Sequence, residues 1–185
     1  MTNTSDAVQQ IMGDLRTSDH SKQDAAYQFL IAASKQRVDW AYEVWDALLG
    51  LLKTGDNRQR AIAAQVLCSL AKSDPRHRIR KDLAALLQTT KDARFVTARH
   101  TMQSLWKVGV IGSAERELLV DGLTVRFKEC VAEKNCTLIR YDILACLRHV
   151  YDETHEESLS AQSRELIELE EDAKYKKRYA ALWRK

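Results

Sequence analysis

Apolar residues along this chain recur at three- and four-residue intervals, interrupted by short polar stretches, and that spacing predicts helices. Leu48, Leu51 and Leu52 form one stripe, and Leu83, Leu86 and Leu87 repeat it 35 residues later. Leu119 and Leu123 continue it 36 residues further on, with Gly122 in the middle place. Period and capping signals together predict a short helix over 6–16 and then four helix pairs. These are 20–35 with 39–53, 57–73 with 75–88, 93–109 with 113–133, and 137–152 with 159–184. Asp39 and Asp74 stand just before the second helices of the first two pairs, where a carboxylate accepts first-turn amides. Pro75 follows at the position where a missing N–H costs nothing, and Ser113 is the equivalent cap of the third pair.

The pairs also resemble one another. Thr17, Asp19, Ala26, Phe29, Leu30, Ala33 and Lys35 recur 37 residues later as Thr54, Asp56, Ala63, Val66, Leu67, Leu70 and Lys72. A third copy carries Thr90, Asp92, Ala98, Thr101, Met102, Leu105 and Lys107. A period in the thirties with helical spacing inside each copy marks a helical repeat array. Ile143, Leu144 and Leu147 begin a weaker fourth copy after a longer interval. The expected organisation is one domain over 1–185, with copies at roughly 17–53, 54–89, 90–133 and 134–184. Residues 159–184 are expected to form a single capping helix, with Leu159, Leu166, Ile167, Leu169 and Leu182 on its packed side. Its acidic start and basic end suit the helix macrodipole.

The pattern Thr-x-Asp-x-Arg, seen at Thr54, Asp56, Arg58 and again at Thr90, Asp92, Arg94, precedes an alanine- and leucine-rich helix such as Ala63, Ala64 and Leu67. It resembles the start of short HEAT-like, armadillo-type repeats, although the first copy has Ser21 in the arginine place. The resemblance covers roughly 17–152. It implies an all-α, right-handed α-solenoid of about four HEAT-like helix pairs, with a short N-terminal helix and a C-terminal capping helix. Such families share a scaffold rather than a chemistry.

Six glycines and one proline suit helices better than the many turns of an all-β chain. No apolar run approaches the ~20 residues that span a bilayer. The start, Met1 to Asp6, lacks the pattern of a signal peptide, so a cytoplasmic location and no membrane partner are expected. Cys68 and Cys146 lie in apolar stretches and read as buried hydrophobes. A Cys130–Cys136 disulfide stays open without amounting to a secreted framework. Cys146 and His149 have metal-ligand spacing but no second pair, so neither a metal nor a cofactor is expected.

Charge is uneven. Residues 56–110 hold eleven Lys or Arg against four Asp, or +7, whereas 151–172 hold nine acids against Arg164 alone, or −8. The densest basic site is Arg76, His77, Arg78, Arg80 and Lys81. On a helix over 75–88, Arg76 and Arg80 would share one face and His77 and Lys81 another. That face is either solvated or a contact for an anionic partner.

The main expectation is a non-enzymatic scaffold whose concave surface presents Arg58, Arg76, Arg78, Arg80, Lys81, Arg94 and Arg99 to an acidic peptide of a protein partner. The acidic stretch of a second copy is one such occupant, which would make a homodimer. The alternative is nucleic-acid binding on the basic segment. Some HEAT-like proteins are DNA glycosylases, and Trp40, Trp45, Asp46 and Trp106 are the nearest material here. That family's catalytic residues find no matching positions. Gly-rich phosphate loops, Gly-x-Ser-x-Gly and His-Glu-x-x-His are all missing from the sequence. Tyr175, Tyr179 and Trp183 form an aromatic stripe among Lys176, Lys177, Arg178, Arg184 and Lys185. That stripe either docks on a partner, stacks on single-stranded nucleic acid, or packs back on the fourth copy.

Overall fold

The computed structural model describes residues 4–184; the polar start at Met1 to Asn3 and the basic terminal Lys185 lie outside the described residues. All regular structure within them is helical. The helices are α1 (Thr4–Arg16), α2 (His20–Ala33), α3 (Ala41–Thr54), α4 (Asn57–Leu70), α5 (Ile79–Thr89) and α6 (Phe95–Met102). They continue as α7 (Trp106–Gly109), α8 (Ser113–Glu129), α9 (Cys136–Thr154), α10 (Glu157–Glu168) and α11 (Ala173–Leu182). Short 3-10 turns, Ala71–Ser73 and Cys130–Ala132, extend α4 and α8. None of the described helices is long and apolar enough to cross a membrane.

Several helices meet their counterparts one copy along. α2 packs on α4, α4 on α6 and α6 on α9, while α3 packs on α5 and α5 on α8. The repeated apolar stripes form the core between them. Leu48, Leu67, Leu70, Leu83, Leu86, Met102, Leu105, Leu119, Leu123, Ile143, Leu144 and Leu147 are all buried. Gly122 breaks the leucine stripe because α8 comes too close to α5 for a side chain there. A Cβ on Gly122 would lie 2.3 Å from Leu87 Cδ1 and 3.0 Å from Cδ2.

The Thr-x-Asp pattern is a corner device. Thr17, Thr54 and Thr90 each donate their hydroxyl to a carbonyl of the helix just ended, those of Asp14, Gly50 and Leu87. Two residues on, Asp19 accepts from the Ser21 and Lys22 amides, Asp56 from the Gln59 amide and Asp92 from the Arg94 amide. The threonine closes the old helix, and Asp19 and Asp56 cap the new one, whereas Asp92 holds the Arg94 amide just ahead of α6, whose N-cap is Arg94 itself. At Asp56 the box is complete, since the Gln59 side chain accepts from the Asp56 amide in return.

Four local expectations are corrected. Trp40, buried at 5% exposure, occupies the N-cap of α3, and Asp39 is left exposed without capping it. Gly112, not Ser113, is the N-cap of α8, with no side-chain bond. The helix expected from residue 75 begins at Ile79, because His77 adopts a left-handed backbone (φ 52°) that breaks it. Asp74 still serves that helix from a distance: Oδ2 accepts from the Ile79 amide at 2.7 Å while Oδ1 accepts from the Tyr42 hydroxyl. The basic cluster therefore straddles a turn, and Arg76 and Arg80 do not share a helix face.

The fourth correction is that the C-terminal segment is not one helix. It bends at Leu169 to Asp172, where Asp172 caps α11 through the Lys174 and Tyr175 amides. The bend turns α11 back onto α9, so the acids and bases of this segment fall on separate helices and no single macrodipole orders them. The aromatic stripe packs inward. Tyr179 is fully buried and donates to the Thr137 carbonyl at 2.8 Å, and Trp183 lies 5.6 Å from the Tyr151 ring.

Candidate functional site

Four of the seven basic residues singled out in the sequence are held by carboxylates one copy away, Arg78 by a carboxylate of its own copy as well. Arg58 pairs with Asp24, and Arg78 with Asp46 and Asp82. Arg80 Nε and His77 Nδ1 both reach Glu115, at 2.7 and 2.8 Å. Arg99 makes a two-pronged pair with Asp142 at 2.7 and 3.0 Å, as Arg60 does with Asp92 at 2.6 and 2.9 Å. The guanidinium beside Asp92, working against burial, holds that carboxyl below its ordinary range. Arg76 lies over the Tyr42 ring, 5.1 Å from its centre. Lys81 and Arg94 are exposed, and neither forms an ion pair among the described residues. These seven do not form one patch. Arg58, Arg94 and Arg99 sit on or beside α4 and α6, while the others gather at the start of α5.

The acidic stretch is likewise engaged at home. Asp152 pairs with Arg148, Glu156 with Arg116, Glu168 with Lys176, and buried Glu170 with buried Arg140 at 2.9 Å. The tryptophans separate too. Trp40 and Trp45 are buried, with Trp45 Nε1 donating to Asp82 at 2.8 Å, whereas Trp106 lines a groove on α7. Cys146 is buried while His149 is exposed, its ring 5.6 Å from that of Trp106.

That groove is the most distinctive surface feature. It encloses about 580 Å³ where the C-terminal ends of the first helices of three copies come together. Ile31, Trp106, Val110 and Ile111 supply its apolar lining, and Lys35, Arg37, Lys72 and Lys107 line it with them. Lys35, Lys72 and Lys107 are the lysines that close each repeat in the sequence. Cations at these positions favour the negative ends of the helices that carry them. Two of them also reach back one copy: Lys72 Nζ donates to the Lys35 carbonyl at 3.0 Å, and Lys107 Nζ to Ser69 Oγ at 2.7 Å. Among the described residues none of the four basic side chains is in an ion pair. Burial, with a further contribution from the Lys72 cation, holds the Lys107 amine below the ordinary lysine range, against the opposing pull of Cys68 beneath it.

A cleft of this size, lined by apolar side chains and by cations without an ion-pair partner among the described residues, suits an occupant with an apolar body and carboxylates beside it. The repeat period makes three of its four cations visible in the sequence. Their convergence with Trp106 and Ile111 depends on how the copies stack, which no local pattern states. Searches against family profiles, curated proteins and solved structures found no match to this chain.

Proposed function

We propose that this chain is a non-enzymatic, HEAT-like right-handed α-solenoid of four helix pairs, working in the cytoplasm as a scaffold for a protein partner. Its binding surface is the groove of Lys35, Arg37, Lys72 and Lys107, and its preferred occupant is an acidic peptide segment carrying a bulky apolar side chain. The observation that supports this reading is the gathering of four basic side chains without carboxylate partners beside apolar lining residues. Elsewhere the arginines of the basic segment are largely neutralised within the fold, which leaves few of them to neutralise a phosphate backbone. Arg76, Lys81 and Arg94 remain as accessory contacts outside the groove.

The test uses the purified full chain and a panel of synthetic peptides. Each peptide carries two or three Asp or Glu on either side of a Leu, Phe or Trp, and scrambled neutral peptides serve as controls. Short single- and double-stranded DNA and RNA are titrated alongside. The expected result is binding of the acidic apolar peptides that is lost in Lys72→Glu/Lys107→Glu. Binding of nucleic acid instead would favour the competing partner, provided it weakens steeply with salt. A contact set of 6–10 phosphates loses about 10³–10⁵ in affinity between 50 and 200 mM salt. Peptides lacking the apolar residue that bind as well as those carrying it would refute the groove as the site.

A further inference from the structure

The corner between α8 and α9 brings two thiols together away from the groove. Cys130 opens the 3-10 turn after α8 and Cys136 begins α9, and their Sγ atoms lie 3.2 Å apart with both thiols free. Cys130 is fully buried and its thiol lies 3.3 Å from the Phe127 carbonyl, whereas Cys136 is half-buried. Burial, reinforced by the neighbouring Cys136, pushes the Cys130 thiol up to about 12. Arg140 and Arg126 act in the opposite direction on it, and both guanidiniums are fixed nearby by Glu170 and Glu133. The other two cysteines are spectators: Cys68 and Cys146 are buried in the helix core, and burial raises both thiols.

We propose that Cys130 and Cys136 are a redox-active dithiol whose oxidant is a low-molecular-weight disulfide of the oxidised-glutathione class. Accessibility assigns the roles. Exchange requires a thiolate that can reach the incoming disulfide, and only Cys136 is reachable. Its thiol gives its proton to solvent, and the thiolate attacks one sulfur of the oxidant. A mixed disulfide forms, and the first glutathione leaves as a thiolate that takes up a proton. Cys130, already at 3.2 Å, then loses its proton and attacks the Cys136 sulfur. The Cys130–Cys136 bond forms and the second glutathione leaves as a thiol. Two protein thiols are oxidised while one disulfide is reduced to two thiols, so atoms and electrons balance. Closing from 3.2 Å to the bond length of about 2.05 Å is a small side-chain movement, because both residues already sit in one corner.

The experiment incubates the native full chain with oxidised glutathione at a series of ratios. Samples are quenched in acid, alkylated, and read by intact and peptide mass spectrometry. Wild type is expected to lose two hydrogens, to carry no lasting adduct, and to lose alkylation at Cys130 and Cys136 alone. Cys130→Ala should stop at one stable glutathione adduct on Cys136, and Cys136→Ser should acquire neither adduct nor bond. Should Cys130→Ala fail to fold by circular dichroism, a quench series on wild type decides: the Cys136 adduct must appear first and then decay into the internal bond. Two thiols still alkylatable in wild type at the most oxidising ratio would overturn the proposal. So would a Cys136 adduct that persists in wild type as in the alanine variant. Neither result bears on the lysine groove.

Discussion

Three helix-interior glycines offer a direct test of how closely these helices pack. Gly13 in α1, Gly50 in α3 and Gly122 in α8 pose the same substitution to alanine in different surroundings. Alanine is better in a helix by about 1 kcal/mol, through lower chain entropy in the unfolded state and better shielding of the backbone. At Gly13 and Gly50 an added Cβ meets nothing within 4 Å, so that gain should appear in full. At Gly122 the Cβ would sit 2.3, 3.0 and 3.2 Å from three carbons of Leu87, so the whole side chain must move. Overpacking of this kind costs about 1–3 kcal/mol. Set against the gain of about 1 kcal/mol, Gly122→Ala should be neutral to about 2 kcal/mol destabilising. The Gly50→Ala and Gly122→Ala proteins should therefore differ by about 1–3 kcal/mol in urea unfolding at equal m-value. Adding Leu87→Ala should restore the alanine gain at residue 122, a coupling that a double-mutant cycle reads out. If Gly122→Ala stabilises as much as Gly50→Ala, the close approach of α8 to α5 is wrong.

Other substitutions probe the buried charges and the groove. Glu115 is 1% exposed; burial works to raise its carboxyl, but Arg80, its own backbone amide and His77 together hold it below the usual carboxylate range. Its folded pKa is thus depressed, so its contribution is present above the unfolded value of about 4.3 and is lost as pH falls through the folded one. Glu115→Gln should lower the melting temperature at pH 7 and flatten the acid limb of the stability profile; an unchanged limb would count against the pairing. Glu170→Ala leaves the Arg140 guanidinium, 10% exposed, without its carboxylate, and should cost about 3–5 kcal/mol in denaturant unfolding, with Glu170→Gln intermediate. Lys107 has a depressed pKa as a base, so the unfolded state binds its proton more readily and stability should rise with pH toward the ordinary lysine value. Lys107→Met, which keeps the apolar stem, should not lower the melting temperature at pH 7 and should abolish that alkaline rise; a clear loss of stability would show that the ammonium supports the fold.

The helices and their order were legible because apolar positions recur at helical spacing and the copies repeat, as Leu48, Leu83 and Leu119 illustrate. The breaks were not. His77 in a left-handed conformation has no local signature like that of glycine, so the sequence predicts a helix over 75–88 that runs unbroken from Pro75. The bend at Leu169 to Asp172 likewise exists because Tyr179 and Trp183 bury against α9, a demand made by a partner some 40 residues away. Charge was the most misleading signal. The +7 segment read as a free basic face, yet Arg58, Arg78, Arg80 and Arg99 find carboxylates in neighbouring copies. Composition counts charges but not their pairing. The groove lysines, by contrast, were visible as repeat positions, and only the stacking of copies showed that they share a cleft.

Most polar bonds between copies span 32 to 43 residues of chain, from Arg60 with Asp92 to Arg99 with Asp142. This sets a timetable for a chain made from its N-terminus. Asp46 waits for Arg78, Trp45 for Asp82, and the Lys35 carbonyl for Lys72, so each copy stays incomplete until the next has left the ribosome. At 5–20 residues per second, a stretch of about 35 residues takes roughly 2–7 s, long compared with the microseconds in which a helix forms. Every newly made copy therefore presents a half-satisfied edge for seconds, and a pause in translation with the chain emerged only as far as Asp74, after α4 and before α5, would hold Trp45 and Asp46 in that state.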